Sequence, residues 1–174
     1  REVRDGGGIK PDVEVRPDSL PNIAFYLASS GRDSTEVMWN WELQYLKKHP
    51  AIGPAKTFVL SDADYEDFKQ TVLKSGFKYD RESRKYLENL VKLAKFEGYY
   101  EDAKPEFDAL EKKLSHNLAK DLDYNRQPLK KLLTSDLVSA YYYQRGSLEN
   151  SLQFDKQWKK AVEILQNQIG RAHV

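Results

Sequence analysis

The chain has 174 residues, with 28 Lys and Arg against 27 Asp and Glu for a formal net charge of +1, so no dominant field draws it to nucleic acid or to an anionic membrane surface. An aromatic content of 12% excludes a disordered tail, and a chain of this length can bury roughly 70% of its unfolded surface. The absence of cysteine excludes disulfides, thiol nucleophiles and Cys-ligated metals.

No stretch approaches the roughly 20 apolar residues of a membrane span, and the charged start Arg1-Glu2-Val3-Arg4-Asp5 has no apolar run behind it, so no signal peptide is legible. Met38 is the only methionine, which sets the expectation of a C-terminal piece of something longer.

Val13 and Val15 alternate with polar neighbours, and Gly6-Gly7-Gly8 punctuates two short extended segments. Two strands joined by a tight turn fit, yet so small a unit is not stable without a sheet to join. Residues 1–17 are therefore expected to be strands of another domain. Residues 9–15 should be poorly ordered, packed back on the helices or paired with a neighbouring molecule.

From residue 18 the period becomes helical. Pro21 can open a short helix carrying Ile23, Phe25, Tyr26 and Leu27, stopped by Gly31. Asp33 and Glu36 have capping-box spacing for a helix over 35–48, ending before Pro50. Residues 58–60 read as a short strand. Ser61 with Asp64 repeats the cap for a helix through Lys74, stopped by Gly76, and residues 77–79 read as extended. Asp80 caps a helix with Leu87, Leu90, Val91 and Ala94, ending at Gly98. Pro105 belongs to the first turn of the next, which lines up Phe107, Leu110, Leu114 and Leu118. Pro128 begins a helix through Leu129, Leu132, Leu133, Leu137 and Tyr141-Tyr142-Tyr143, ending near Gly146, and Asp155 caps the last, with Trp158, Val162, Leu165 and Ile169. The expected fold is mainly α: a domain of six or seven helices over 18–174 with a few short strands, preceded by the strand remnant.

The acidic run from Asp62 to Asp67 resembles a calcium loop only at first sight, because positions six and twelve hold Asp67 and Leu73 instead of Gly and Glu. Acids in a first helical turn complement the dipole, so neither a metal nor a cofactor is implied. Gly6-Gly7-Gly8 lacks the Gly-Lys-Ser/Thr ending of a phosphate loop. His49, His116 and His173 are isolated, and Ser115 and His116 point about 100° apart on a helix. No catalytic set assembles, and the lysine doublets at 47–48, 112–113, 130–131 and 159–160 read as solvated faces.

Two aromatic features point to interaction. On helix 35–48, Val37, Met38, Trp41 and Tyr45 fall on one side, with Trp39, Leu43 and Leu46 nearly opposite, as though the helix were held between two bodies. Tyr141, Tyr142 and Tyr143 fan out in steps of about 100°, which suits either the rim of one core or a docking surface.

The segment Gly7-Gly8-Ile9-Lys10-Pro11-Asp12-Val13-Glu14-Val15 resembles the strand that closes the protease core of the C-terminal processing, or tail-specific, serine peptidases. The likeness continues through Leu46-Lys47-Lys48-His49-Pro50, Phe58-Val59-Leu60, Asp64-Tyr65-Glu66-Asp67-Phe68, Phe77-Lys78-Tyr79, Lys113-Leu114-Ser115-His116-Asn117 and Tyr141-Tyr142-Tyr143-Gln144-Arg145-Gly146, and then Glu149-Asn150-Ser151-Leu152. The resemblance implies a parent with a Ser nucleophile, a Lys general base and a PDZ domain, both catalytic residues lying in the core before this chain. Ser83 with Lys85, and Ser115 with Lys112 or Lys113, are not their counterparts. It further implies a non-catalytic helical domain and a periplasmic or envelope-facing location. The partners it implies are the upstream core and the parent's protein substrates, with a second copy of the chain also a candidate. The rival reading is a free-standing helical interaction domain.

Overall fold

Most helix ends in this protein trace to single residues. A computed structural model describes residues 11–28, 36–79, 82–114 and 117–169. Among these run eight helices: α1 (Asn22–Ala28), α2 (Val37–Lys48), α3 (Asp62–Lys74), α4 (Glu82–Glu97), α5 (Lys104–Lys113), α6 (Leu118–Tyr124), α7 (Arg126–Ser151) and α8 (Lys156–Ile169). Ser61 Oγ accepts the Asp64 amide at 3.0 Å to open α3, and Asp155 Oδ1 accepts the amides of Gln157 and Trp158 at 2.8 and 3.0 Å to open α8. Gly76 and Gly98, at φ 74° and 83°, follow the ends of α3 and α4 in the left-handed region where glycine carries no steric penalty. The expected signals at Gly31, Asp33 and Asp80 lie outside the described residues.

Three helix boundaries differ from expectation. Helix α2 begins at Val37, because Glu36 sits at φ 48° and cannot be helical. The single helix expected through Leu118 is two: α5 ends at Lys113, and Asn117 opens α6 by accepting the Lys120 amide at 3.0 Å. Helix α7 runs past Gly146 to Ser151, with one break at Tyr143 (φ 57°, ψ −162°).

No strand occurs among the described residues, so the short strands of the sequence reading are absent there. Residues 11–17, the described part of the strand remnant, form no ladder. They lie beside the start of α8, where Gln157 Nε2 donates to the Val15 carbonyl at 3.4 Å. Asp18 ties the same segment down by accepting from Lys131 of α7 and Lys156 of α8. Of the three fates expected for this segment, its described part packs back on the helices.

The core lies where α7 meets α1, α2 and α6, and where α3 meets α2 and α6, while α4 and α5 pack on each other. Tyr65, Phe68 and Val72 recur at helical spacing on α3 and are fully buried, as are Leu122 of α6 and Leu129 and Leu133 of α7. Side chains of this size each contribute about 1.5–3 kcal/mol when buried. Two aromatic polar groups at the core are paired: Tyr65 donates to the Leu122 carbonyl at 2.7 Å, and the Trp41 indole donates to Asp67 at 2.8 Å while its ring meets Phe68 edge-on at 5.3 Å.

Residues 49–60, between α2 and α3, carry no ladder of their own, and α7 and the residues just after it supply the partners. Tyr141 donates to the His49 carbonyl, Tyr142 to the carbonyls of Ile52 and Gly53, each at 3.0 Å, and Asn150 to those of Ala55 and Phe58 at 2.7 and 2.9 Å. Gln153 adds a bond to Phe58, and Thr134 Oγ1 accepts the Leu60 amide at 3.0 Å. Residues 58–60 form no strand: the Phe58 amide donates to the Pro54 carbonyl at 3.0 Å, and side chains on and just after α7 take the Phe58 carbonyl and the Leu60 amide. A Cβ at Gly146 would stand 3.3 Å from Ala55 Cβ of the loop and only 2.1 Å from Tyr142 Cβ on α7 itself.

Gly146→Ala should accordingly displace Tyr142 from the loop and lower stability by about 1–3 kcal/mol, the cost of overpacking a filled interior. Thermal melting should show a fall of roughly 2–12 °C, at about 2–4 °C per kcal/mol for a domain of this size. An unchanged melting temperature would mean that Tyr142 does not stand this close to Gly146.

Candidate functional site

Helix α2 was expected to present two opposite apolar sides. On a wheel of about 100° per residue, Trp41, Tyr45 and Met38 lie together, Glu42 follows, and Leu46, Trp39 and Leu43 continue the same arc, which with Val37 spans about 240°. The structure closes most of that arc internally. Val37, Met38, Trp41, Glu42 and Tyr45 are buried, and Leu46 packs against the same core. Leu43, at the end of the arc, is half-buried, and Trp39, 59% exposed, is the arc's most exposed member. The second side is thus a rim centred on Trp39 and not a separate face.

The tyrosine triplet divides by role. Tyr141 and Tyr142 direct their hydroxyls to loop carbonyls, as described, and burial pushes the Tyr141 phenol up from its ordinary value. Tyr143, 78% exposed, occupies the break in α7. Two of the three residues therefore fasten the domain's own loop, and only Tyr143 is fully presented to the surface.

A larger apolar surface lies on α4 and α5. Leu87 and Ala94 are buried, but Tyr86, Leu90, Leu93 and Phe96 are exposed, Phe96 at 89%. Tyr99 and Leu110 extend the patch. The signal was present in the sequence: apolar residues at 86, 87, 90, 91, 93, 94 and 96 exceed the single stripe that one neighbouring helix can cover. Helix α8 likewise leaves Trp158 and Leu165 exposed.

The acidic run of α3 is structural. Asp62 pairs with Lys130 at 2.8 Å and Arg126 at 3.4 Å, Glu66 with Arg126 at 2.6 Å, and Asp67 holds the Trp41 indole. Lys130 chiefly, with Arg126, holds the Asp62 carboxyl below its usual range. Among the described residues, no group of three or more His, Asp or Glu side chains gathers as a metal site. His49 stacks on Tyr45 at 4.1 Å, Ser83 and Lys85 are exposed, and Ser115 and His116 lie outside the described residues.

Sequence reasoning missed one feature entirely. Glu42 is 7% exposed, and its Oε1 has no hydrogen-bond partner. Asp136, half-buried on α7, is the acid that acts on it across the α2–α7 contact. Burial first, and then the Asp136 charge and the hydrogen bond between them, push Glu42 up to about 8. Burial also raises Asp136, while the bond from Glu42 works to lower it. An acid in the middle of an apolar arc on the α2 wheel was the available signal.

Residues 25–165 match the family model described as "Probable PDZ-protease, C-terminal helical domain". The chain belongs to that family. Neither a curated protein nor a solved structure matches it. The match spans α2 to α7 in full, so the core apart from Ile23 and Ala24, the loop fastened to α7 and the exposed α4–α5 surface fall within the protease-associated helical domain.

The division within the triplet has a direct test. Tyr141→Phe and Tyr142→Phe should each lower stability by about 0.5–1.5 kcal/mol, the net worth of a protein hydrogen bond, whereas Tyr143→Phe should leave it unchanged. Urea unfolding of the three variants checks this; equal effects at all three positions would contradict the assignment.

Proposed function

We propose that this chain is the non-catalytic C-terminal helical domain of a C-terminal processing serine endopeptidase. Residues 1–17 complete the protease core and residues 18–174 form the helical domain. In the parent, a Ser nucleophile and a Lys general base, both upstream of Arg1, cleave proteins near their C-termini. A periplasmic or envelope-facing location belongs to the same proposal and rests on resemblance alone.

The observation that carries this reading is the family match over residues 25–165, directly behind the Gly-Ile-x-Pro-Asp segment at residues 8–12. The described surface supports a docking role, since large apolar groups remain exposed on α2 and α4 after the core is filled. We assign the contact with the upstream core to the rim formed by Trp39 and Leu43, bordered by Leu46. Tyr143 is its companion on α7, on the helix whose Tyr141 and Tyr142 hold the loop. Substrate proteins of the parent and a second copy of the chain are further candidates for the apolar surface of α4 and α5.

Two measurements test the reading. Incubated with an unfolded protein bearing an apolar C-terminus, the chain alone should give no cleavage; turnover that survives repurification and disappears on Ser115→Ala would overturn the proposal. In the parent, Trp39→Ser with Leu43→Ser should loosen docking and reduce cleavage, while the melting temperature of the isolated chain falls by only a few degrees because Trp39 is largely exposed. Unfolding of the isolated double variant would assign both residues to the internal core, and unchanged docking would remove them from the interface.

A further inference from the structure

We propose that Glu42 and Asp136 share one proton and act as a pH-sensitive clasp between α2 and α7. The geometry is that of a carboxyl 7% exposed, with an oxygen lacking any partner, on a helix packed against α7, where Asp136 is half-buried. Two like charges cannot both be kept in such a place, whereas one protonated and one ionised carboxyl form a charge-assisted hydrogen bond. Glu42, the more buried of the two, holds the proton and donates it to Asp136, which stays closer to water.

The surrounding charges leave this pair to itself. Helix α1 offers only Tyr26 as a titratable group, and its ring meets Tyr79 at 5.8 Å. On α3, Asp62 and Glu66 bind Arg126, Asp64 binds Ser61, Asp67 binds Trp41 and Lys69 binds Asp123. On α7, Lys130 is held by Asp62 and Lys131 by Asp18, while Tyr141 turns to the His49 carbonyl. On α2 itself, Lys47 and Lys48 are exposed, about 140° and 120° round the helix from Glu42, and burial pushes the nearer Tyr45 phenol up to about 12. Asp136 is the one charge that acts appreciably on Glu42.

The direction follows from proton linkage. Glu42 moves from an ordinary 4.5 to about 8 on folding, so between those values the unfolded chain has released a proton that the folded chain retains. This contribution favours folding most at the acidic end, weakens as pH rises through the window, and levels off above about 8. There the native protein itself loses the proton, and two negative charges face each other across the α2–α7 contact. The clasp stands without the protease reading; any effect on docking, through Trp39 on the same helix, rests on it.

The test uses the 174-residue chain. Between pH 5 and 8 the unfolding constant of wild type, relative to that of Glu42→Gln, should rise by about two to three orders of magnitude, at up to tenfold per pH unit. The 13C shift of the wild-type Glu42 carboxyl should titrate with a midpoint near 8, and backbone amide resonances of α2 and α7 should move with that midpoint. Asp136→Asn, which removes the like charge and leaves the burial, should move the midpoint down without returning it to the ordinary value. A Glu42 midpoint between 4 and 5, parallel stability profiles for wild type and Glu42→Gln, or α2 and α7 amides that ignore the titration would each overturn the proposal. Should Glu42→Gln fail to fold, the wild-type carboxyl titration and Asp136→Asn decide the matter.

Discussion

A twelve-residue connection with no helix or ladder must still bond its peptide groups where it approaches the interior, because an orphaned buried carbonyl costs about 1–3 kcal/mol. Residues 49–60 meet this requirement with side chains of α7 and the turn after it: Thr134, Tyr141, Tyr142, Asn150 and Gln153. The arrangement fixes more than the loop. Helices α2 and α3 enter and leave it, so their positions relative to α7 follow, and with them the meeting of Trp41 with Phe68 and the action of Asp136 on Glu42. Surface ion pairs such as Asp62 with Lys130 add little by comparison, since exposed pairs contribute about 0–1 kcal/mol.

The family is that of a protease-associated helical domain, and the scaffold holds its exposed apolar groups on elements that its own interior fixes. Trp39 stands at the edge of an arc whose other members are anchored by Trp41, Tyr45 and Met38. The exposed apolar groups of α4 lie on a helix pair whose inner stripe, Leu87 and Ala94, is already closed. In both cases the side chains left outside project from helices held by separate interior contacts, so the docking proposed above would use a surface whose ordering cost has been met by folding.

Local signals carried much of the fold into view from sequence. Ser61 and Asp155 are caps whose meaning lies within three residues, and Gly76 and Gly98 mark stops for equally local reasons. What escaped depends on residues far apart in the chain. The three tyrosines look alike until His49, Ile52 and Gly53, some 90 positions earlier, supply carbonyls to two of them. Residues 58–60 have strand composition, but Asn150 and Thr134 take up bonds that a neighbouring strand would have made. Gly146, which reads as a helix stop, is a site of close approach to Ala55. Trp39 and Leu46 read as one side of α2, yet only tertiary packing decides that Leu46 turns inward and Trp39 outward.

The break at Tyr143 belongs to the same constraint. A tyrosine at φ 57°, ψ −162° occupies backbone space that favours glycine, at a cost of about 1–3 kcal/mol. A continuous helix would avoid that cost but would carry the residues after 143 along the axis set by Arg126 to Tyr142. With the break, one element applies Tyr141 and Tyr142 to the start of the loop and Asn150 to its middle, while Gly146 admits Ala55 between them. The one hydroxyl proton of Tyr142, shared between two carbonyls, and the two N–H donors of Asn150 give three donated hydrogens, at about 0.5–1.5 kcal/mol each, enough to offset the strain. The strained residue and the ladderless loop are therefore two halves of one device: the loop keeps the helix bent, and the bend lets a single helix bond the loop along most of its length.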